Sequence, residues 1–132
     1  MILPLLFFIA SAAFSAPTAL SSVQTESLNT PETLGVYVRQ YFADKPVLAN
    51  IAWCESRMRH LGKDGEIFVG KIDSDDTGIM QINTRYHEKR ATELGYDIYS
   101  LSGNLGYAQY LYEKEGTRPW LSSSPCFLQK TL

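Results

Sequence analysis

Apolar residues recur at helical spacing near the middle of the chain, where steps of three and four residues link Leu48, Ile51 and Glu55. This pattern predicts a helix that begins after Asp44, whose side chain can cap the first turn, and that ends near Glu55. A preceding helix is predicted over residues 30–42, because a capping threonine is followed by proline and an acid at the first helical positions.

The pattern then changes to that of a strand. Residues 63–73, "KDGEIFVGKID", carry the apolar and β-branched side chains typical of strands, and Asp64-Gly65 is typical of a hairpin turn. Two further helices are predicted, over about 86–94 and about 103–115, because a glycine follows each. Residues 117–127, "TRPWLSSSPCF", predict a loop anchored by aromatic side chains. Together these elements predict an α+β fold, mostly helical with one small β-hairpin.

The N-terminal sequence predicts export. Residues 1–16 combine an apolar run with small residues and are typical of a secretory signal peptide. The apolar run is shorter than the roughly 20 residues of a membrane-spanning helix, so we expect no stable membrane span. Residues 17–30 are rich in Ser and Thr and predict a flexible leader. Residues 31–132 are enough for one compact domain.

Charge and ligand spacing argue against a nucleic-acid-binding surface and against a metal site. The formal net charge is −2 and no basic stripe is visible, which argues against nucleic-acid binding. His60 and His87 lack metal-ligand spacing with Cys54 or with each other, so no metal is expected there. The run from Asp73 to Gly78 partly matches a calcium loop, but Thr84 stands where the bidentate glutamate should be.

The two cysteines are consistent with export. An even pair in an exported domain is typical of a disulfide, here between Cys54 and Cys126. Such a bond would close nearly the whole domain and stabilise it by at most about 4 kcal/mol. A nucleophilic Cys54 paired with His60 or His87 is the alternative, and no local signature supports it.

Glu55 is the first candidate for catalysis, because its helical position lies on the apolar stripe. A glutamate at a helix end can extend to water, which is the ordinary interpretation. Held against apolar walls instead, its carboxyl would have a raised pKa and could serve as a general acid. Ser56 could orient it by a hydrogen bond.

A second polar cluster follows in "DTGIMQIN", residues 76–83. Asp76 precedes a glycine, and Gln81 and Asn83 can present amides to a polar ligand. Glu55 and Asp76 together match the two carboxylates of glycosidases, one to protonate the leaving oxygen and one to stabilise the developing positive charge. This pairing predicts a polysaccharide as the substrate.

The order of these motifs resembles the lysozyme superfamily, specifically the soluble lytic transglycosylase type. "CES" at 54–56 is similar to the Glu-Ser pair of that family, and "DTGIMQIN" is similar to its Gly-hydrophobic-Met-Gln-Ile element. "DTGIMQIN" also resembles a segment of animal c-type lysozymes, whose second carboxylate matches Asp76. Residues 103–120 resemble the following helix and aromatic loop, so the resemblance covers about 44–127.

The chain departs from the transglycosylase pattern at one place. "WLSSSPCF", at 120–127, stands where that family has a tyrosine-bearing Ala-Tyr-Asn-Ala-Gly element. The cysteine before Glu55 and the late cysteine instead resemble the resuscitation-promoting-factor domains. Tyr107, Tyr110 and Tyr112 are therefore all candidates to assist Glu55, with Tyr107 a candidate substrate-binding residue.

The resemblance implies a peptidoglycan lytic transglycosylase that cleaves the β-1,4 bond between N-acetylmuramic acid and N-acetylglucosamine. Glu55 would act as general acid and base, with Ser56, Gln81 and Asn83 binding the glycan. It implies no metal or organic cofactor, a monomer, and a location outside the cell, in the periplasm or at the cell wall. The alternatives are a hydrolytic muramidase that uses Asp76 as its second carboxylate, and a non-catalytic glycan-binding protein of the same fold. In a transglycosylase Asp76 would instead be structural, accepting hydrogen bonds from backbone amides in the turn before Gly78.

Overall fold

The fold is mostly helical, with one small antiparallel sheet between the second and third helices. A computed structural model describes residues 30–130. Its elements in chain order are α1 (Pro31–Tyr41), α2 (Pro46–Ser56), β1 (Asp76–Thr77), β2 (Ile82–Asn83), α3 (Thr84–Glu93), α4 (Leu101–Glu115), the 3-10 helix η1 (Arg118–Ser123) and α5 (Ser124–Phe127). The predicted α+β class is confirmed.

The predicted signal peptide (1–16) lies outside the described residues, and so does the predicted leader up to residue 29. Between residues 30 and 130, none of the helices combines the length and the apolar character needed to cross a membrane.

The starts of the first two helices are set by proline. Thr30 caps α1 as predicted, accepting a hydrogen bond from the Thr33 amide at 3.3 Å. The predicted cap of α2 by Asp44 is wrong, because Lys45 occupies the capping position and makes no side-chain cap bond. Pro46 decides this, since proline disfavours helical geometry in the residue before it and is tolerated in the first turn. Asp44 instead pairs with the Lys45 ammonium at 2.7 Å.

The predicted hairpin at 63–73 is also wrong in position. The only two-stranded sheet in the described chain is formed by β1 and β2. Upstream, Leu61 pairs with Ile67 and Val69 with Thr77 as isolated bridges. Leu61 and Val69 are 41% and 42% exposed, so the apolar residues of this stretch do not bury one face, and burial of a face is what sustains a longer strand.

The later helices follow the sequence prediction closely. α3 and α4 begin two residues earlier than predicted, because Ser100 caps α4 by accepting from the Gly103 amide at 3.0 Å and α3 follows β2 directly. The predicted loop at 117–127 is instead formed by η1 and α5. Its aromatic anchors are confirmed, since Trp120 and Phe127 are both buried.

A single apolar core connects these elements. Its fully buried members come from all four longer helices, the residue after α1 and the β1–β2 connection: Val38, Phe42, Leu48, Ile51, Ala52, Ile79, Met80, Ala91, Leu105 and Ala108. The apolar stripe of α2 that the sequence predicts is therefore buried, and this fixes the helix that carries Glu55.

The connection between β1 and β2 is buried although it is irregular, and Asn104 supplies its hydrogen bonds. Asn104 Nδ2 donates to the Thr77 carbonyl at 3.0 Å and to the Ile98 carbonyl at 2.8 Å. Asn104 Oδ1 accepts from the Met80 amide at 2.9 Å. Buried backbone groups are costly without partners, so this one amide, itself fully buried, holds the connection against α4.

His60 and Trp120 complete the same network. The Ile79 amide donates to His60 Nδ1 at 3.3 Å, so the proton is on Nε2, which donates to the Tyr99 carbonyl at 2.9 Å. Burial lowers the pKa of His60, which keeps this neutral form at ordinary pH. Trp120 Nε1 donates to the Met80 carbonyl at 2.9 Å.

The disulfide predicted between Cys54 and Cys126 is confirmed. It joins the last turn of α2 to α5, with 6.0 Å between the two Cα atoms and a separation of 72 positions in sequence. It rules out the alternative in which Cys54 is a free nucleophile.

Asn104→Ala should destabilise the fold by about 3 kcal/mol, because it removes the side-chain hydrogen-bond partner of three buried backbone groups. Gln109→Ala on the same helix is the control, since Gln109 bonds only to Glu113 at the surface and should cost within about 0.5 kcal/mol. Urea unfolding followed by circular dichroism measures both. Equal free energies of unfolding would contradict the role given to Asn104.

Candidate active site

A cleft of about 570 Å³ lies between the end of α2, segment 68–76 and η1. Glu55 and Asp76 both line it, together with Gln81. The pair of carboxyl groups that the sequence predicts is therefore brought to one cavity, from two different elements.

Glu55 lies half-buried in the last turn of α2. Burial is the main cause that raises its pKa, and the nearby negative charge of Asp76 raises it further. A hydrogen bond from Ser123 Oγ to Glu55 Oε1 opposes this by favouring the carboxylate. The net direction is upward, so the cleft favours a protonated Glu55 more than water does.

Ser123 reaches Glu55 because of the disulfide. Cys54 directly precedes Glu55, and Ser123 lies three residues before Cys126, about one helical turn away. The bond between the cysteines therefore brings η1 to the end of α2. Sequence reasoning missed Ser123, although the predicted disulfide was a signal that could have located it.

Ser56 does not have the orienting role that the sequence predicts for it. Its side chain is 1% exposed, its hydroxyl donates to the Ala52 carbonyl at 3.0 Å and it accepts from the Arg59 amide at 3.2 Å. At a helix end the backbone offers a closer partner than a neighbouring side chain that points elsewhere. The hydroxyl beside Glu55 belongs to Ser123 instead, and Ser56 is too buried to bind a substrate.

Tyr107 is likewise a correction. It is 1% exposed, and its hydroxyl lies 3.1 Å from His87 Nδ1 in the interior. Tyr107, Tyr110 and Tyr112 lie on α4 and do not line the cleft of Glu55. The candidate substrate-binding role of Tyr107 is therefore not supported, because its face of α4 belongs to the core.

Asp76 is held by Asn83 across the small sheet. Asn83 Nδ2 donates to Asp76 Oδ1 at 2.9 Å and to Asp73 Oδ2 at 3.1 Å. Burial raises the pKa of Asp76, the charges of Asp73 and Asp75 add to this, and the bond from Asn83 opposes it. Asn83 thus orients a carboxylate of the site, rather than leaving its amide NH₂ to a ligand as predicted.

Gln81 lines the cleft as predicted. It adopts a left-handed backbone conformation with φ 50°, which is uncommon for residues other than glycine, and its Nε2 donates to the Gly78 carbonyl at 2.9 Å. That bond fixes the amide plane at the cleft wall, where it is available to a polar ligand.

The acidic residues near β1 have protein partners. Asp75 pairs with Arg85 at 2.5 Å, and Asp73 accepts from the Asp75 amide at 2.9 Å. No group of three or more His, Cys, Asp or Glu residues within 30–130 is arranged to hold a metal ion.

Comparison with protein-family models finds no match for the chain. Searches of curated proteins and of solved structures find no significant match either.

The pKa of Glu55 should move in opposite directions in two variants. Ser123→Ala removes the bond that favours the carboxylate and should raise it, whereas Asp76→Asn removes a repulsive charge and should lower it. A ¹³C NMR titration of the Glu55 carboxyl measures both shifts. Ser122→Ala is the control, since Ser122 lines the same cleft and should have a smaller effect. Shifts of the same sign in both variants would contradict this description of the site.

Proposed function

We propose that the protein is a peptidoglycan lytic transglycosylase of the lysozyme superfamily, with Glu55 as general acid and base. One observation carries the proposal: a half-buried carboxyl with a raised pKa lines a cleft of about 570 Å³, beside a second carboxyl. A raised pKa keeps the proton on such a carboxyl to higher pH than in water, and a carboxyl placed at a cleft can deliver that proton to a leaving group.

The proposed reaction uses the two oxygens of Glu55 differently. Oε1 accepts from Ser123, which leaves Oε2 to carry the proton. That proton passes to the glycosidic oxygen as its bond to the muramic acid C1 breaks, and the bonding electrons stay with the oxygen. The acetamido group of the substrate stabilises the positive charge at C1. Glu55 then takes the proton of the C6 hydroxyl, whose oxygen bonds to C1 and gives the anhydro product.

Ser123 supports this assignment in the segment where the sequence departs from the transglycosylase pattern. "WLSSSPCF" lacks the tyrosine element of that family but supplies a hydroxyl that bonds to Glu55. We propose that Ser123 orients the acid in place of a tyrosine.

A hydrolytic muramidase is the second candidate, and the position of Asp76 favours it. Asp76 lines the same cleft, and its charge affects Glu55. In that reaction Asp76 would stabilise the positive charge at C1 or bond to it, and Glu55 would activate a water molecule. A non-catalytic glycan-binding protein with the same fold is the third possibility.

The disulfide is consistent with action outside the cytoplasm, where such bonds persist. We propose that the protein is exported and acts as a monomer on glycan strands of the cell wall, without a cofactor.

Glu55→Gln should reduce glycan cleavage by about 10² to 10⁴, because the amide keeps the shape and cannot donate the proton. Release of soluble muropeptides from purified peptidoglycan measures this. The melting temperature at pH 7 should not fall, because the fold disfavours the charged form of Glu55 that the substitution removes.

Glu66→Gln is the matched control, since Glu66 is exposed and lies outside the cleft, and it should retain full activity. Undiminished cleavage by folded Glu55→Gln would exclude Glu55 as the acid. Absence of cleavage by the wild-type protein, with binding unchanged in the variant, would favour the non-catalytic alternative.

Asp76→Asn distinguishes the two enzymatic candidates. In a transglycosylase the acetamido group stabilises the intermediate, so the variant should keep anhydro products and turnover within about tenfold, roughly 1.4 kcal/mol. Mass spectrometry of the muropeptides identifies the products. Reducing-end products from the wild-type protein, with a loss in Asp76→Asn as large as that in Glu55→Gln, would establish the hydrolase instead.

A further inference from the structure

We infer that the cleft of Glu55 selects glycans that carry carboxylate groups, and that Arg57, Arg59 and Lys71 determine this specificity. The inference rests on the proposed function and names the substrate feature that the cleft recognises. It depends on the unpaired cations of the cleft and not on the catalytic role of Glu55.

Three cationic side chains line this one cavity, those of Arg57, Arg59 and Lys71. None of them forms an ion pair with a carboxylate of the described chain. Of the four arginines outside the cleft within residues 30–130, three have such a partner: Arg85, Arg90 and Arg118 pair with Asp75, Glu93 and Glu115. Arg39 forms no ion pair in that part of the chain, so the cleft is distinguished by having three such cations around one cavity.

The carboxyl groups of the cleft are bonded to other residues. Glu55 accepts from Ser123, and Asp73 and Asp76 share the amide of Asn83. The cations are therefore left for a ligand, although potential acidic partners line the same cavity.

Arg59 is held in place before any ligand binds. Its Nε donates to the Ser56 carbonyl at 2.9 Å, and its guanidinium carbon lies 4.5 Å from the centroid of the Phe68 ring. These contacts fix the plane of the group and leave its terminal N–H donors free. A fixed guanidinium fork matches the two oxygens of a carboxylate, with little rotational freedom to lose on binding.

Arg57, two residues before Arg59, is held in a similar way. Its Nη1 donates to the Trp53 carbonyl at 3.3 Å, and its guanidinium carbon lies 3.7 Å from the Trp53 ring centroid. Arg57 and Met58 both have left-handed backbone conformations, with φ 57° and 58°. Two such residues in succession are costly without glycine, and they turn the chain so that both arginines line the cleft.

Lys71 is exposed at the edge of the same cleft, beside a fully exposed Ile72. A cation next to an apolar side chain suits a ligand that has a carboxylate near a methyl group. Peptidoglycan offers this chemistry from two sources: the lactyl ether on the sugar, when its carboxylate is free, and the peptide that is otherwise attached there. A neutral glycan offers no carboxylate to these cations.

The test measures binding to the Glu55→Gln protein, so that no ligand is consumed. Three oligosaccharides of equal length are compared by calorimetry: N-acetylglucosamine only, alternating strands with free lactyl carboxylates, and alternating strands with peptides attached. At least one carboxylate ligand should bind about fivefold or more tightly than the neutral one. This preference should shrink as the salt concentration rises.

Arg57→Gln, Arg59→Gln and Lys71→Gln, each added to Glu55→Gln, should reduce that preference about fivefold and leave neutral binding unchanged. Arg90→Gln and Lys89→Gln are the matched controls, as exposed cations outside the cleft. Lys71 is exposed, so Lys71→Gln remains a fair test if an arginine variant fails to fold.

The outcomes distinguish the lactyl carboxylate from the attached peptide as the recognised group. They also distinguish failure of the carboxylate preference from failure of the proposed function. Preference for the lactyl strands alone identifies the sugar substituent as the recognised group, and preference for the peptide strands alone identifies the peptide; each supports the inference. Equal binding of all three ligands, or equal weakening of neutral and carboxylate ligands in the variants, overturns the inference alone. Binding of none of the three overturns the proposed function as well.

Discussion

The structure depends on how it satisfies the buried backbone between β1 and β2. This connection crosses the core without regular secondary structure, so its amides and carbonyls need partners from side chains. Asn104 on α4, Trp120 on η1 and His60 in the segment after α2 supply them. Because every one of these bonds is inside the protein, the connection has one low-energy position, and the residues at its two ends are fixed with it.

That constraint and the disulfide build the cleft from opposite sides. Asp76 and Gln81 flank the buried connection, so the network that holds it also sets their positions at the cleft wall. Glu55 and Ser123 flank the two ends of the disulfide, which joins α2 to the C-terminal helices. Groups that are distant in sequence are thus held in place by the hydrogen-bond network and by the disulfide. Neither of these takes part in the proposed reaction.

The cleft keeps its acidic groups in an environment that costs stability. Burial raises the pKa values of Glu55 and Asp76, and negative neighbours add to this, namely Asp76 for Glu55 and Asp73 and Asp75 for Asp76. The folded state therefore favours their protonated forms more than the unfolded state does. Both groups therefore reduce stability as the pH rises through their ordinary range toward the raised values. His60 acts in the other direction: its lowered pKa means that stability falls as the pH drops below about 6.5, the value of a free histidine. The two effects therefore oppose each other in the acidic range, where the carboxyl groups make stability fall with rising pH and His60 makes it rise.

The sequence by itself determined the features that depend on local chemistry. The start of α1 after Thr30 follows from capping, and the ends of the later helices follow from the backbone preference of glycine. The apolar stripe of α2 follows from periodicity, and the disulfide follows from the presence of only two cysteines.

Which side chains meet Glu55 was decided only by tertiary structure. Ser56 is adjacent in sequence but turns to its own helix, whereas Ser123 arrives from the far end of the domain. Tyr107 has a hydroxyl group that could contact a substrate, but the face of α4 that carries Tyr107 packs into the core. The two arginines of the cleft lie at a turn formed by the left-handed residues Arg57 and Met58, which no propensity predicts. Periodicity and capping act within a few residues, while burial and long-range hydrogen bonding depend on the whole fold, and the site consists mainly of the second kind.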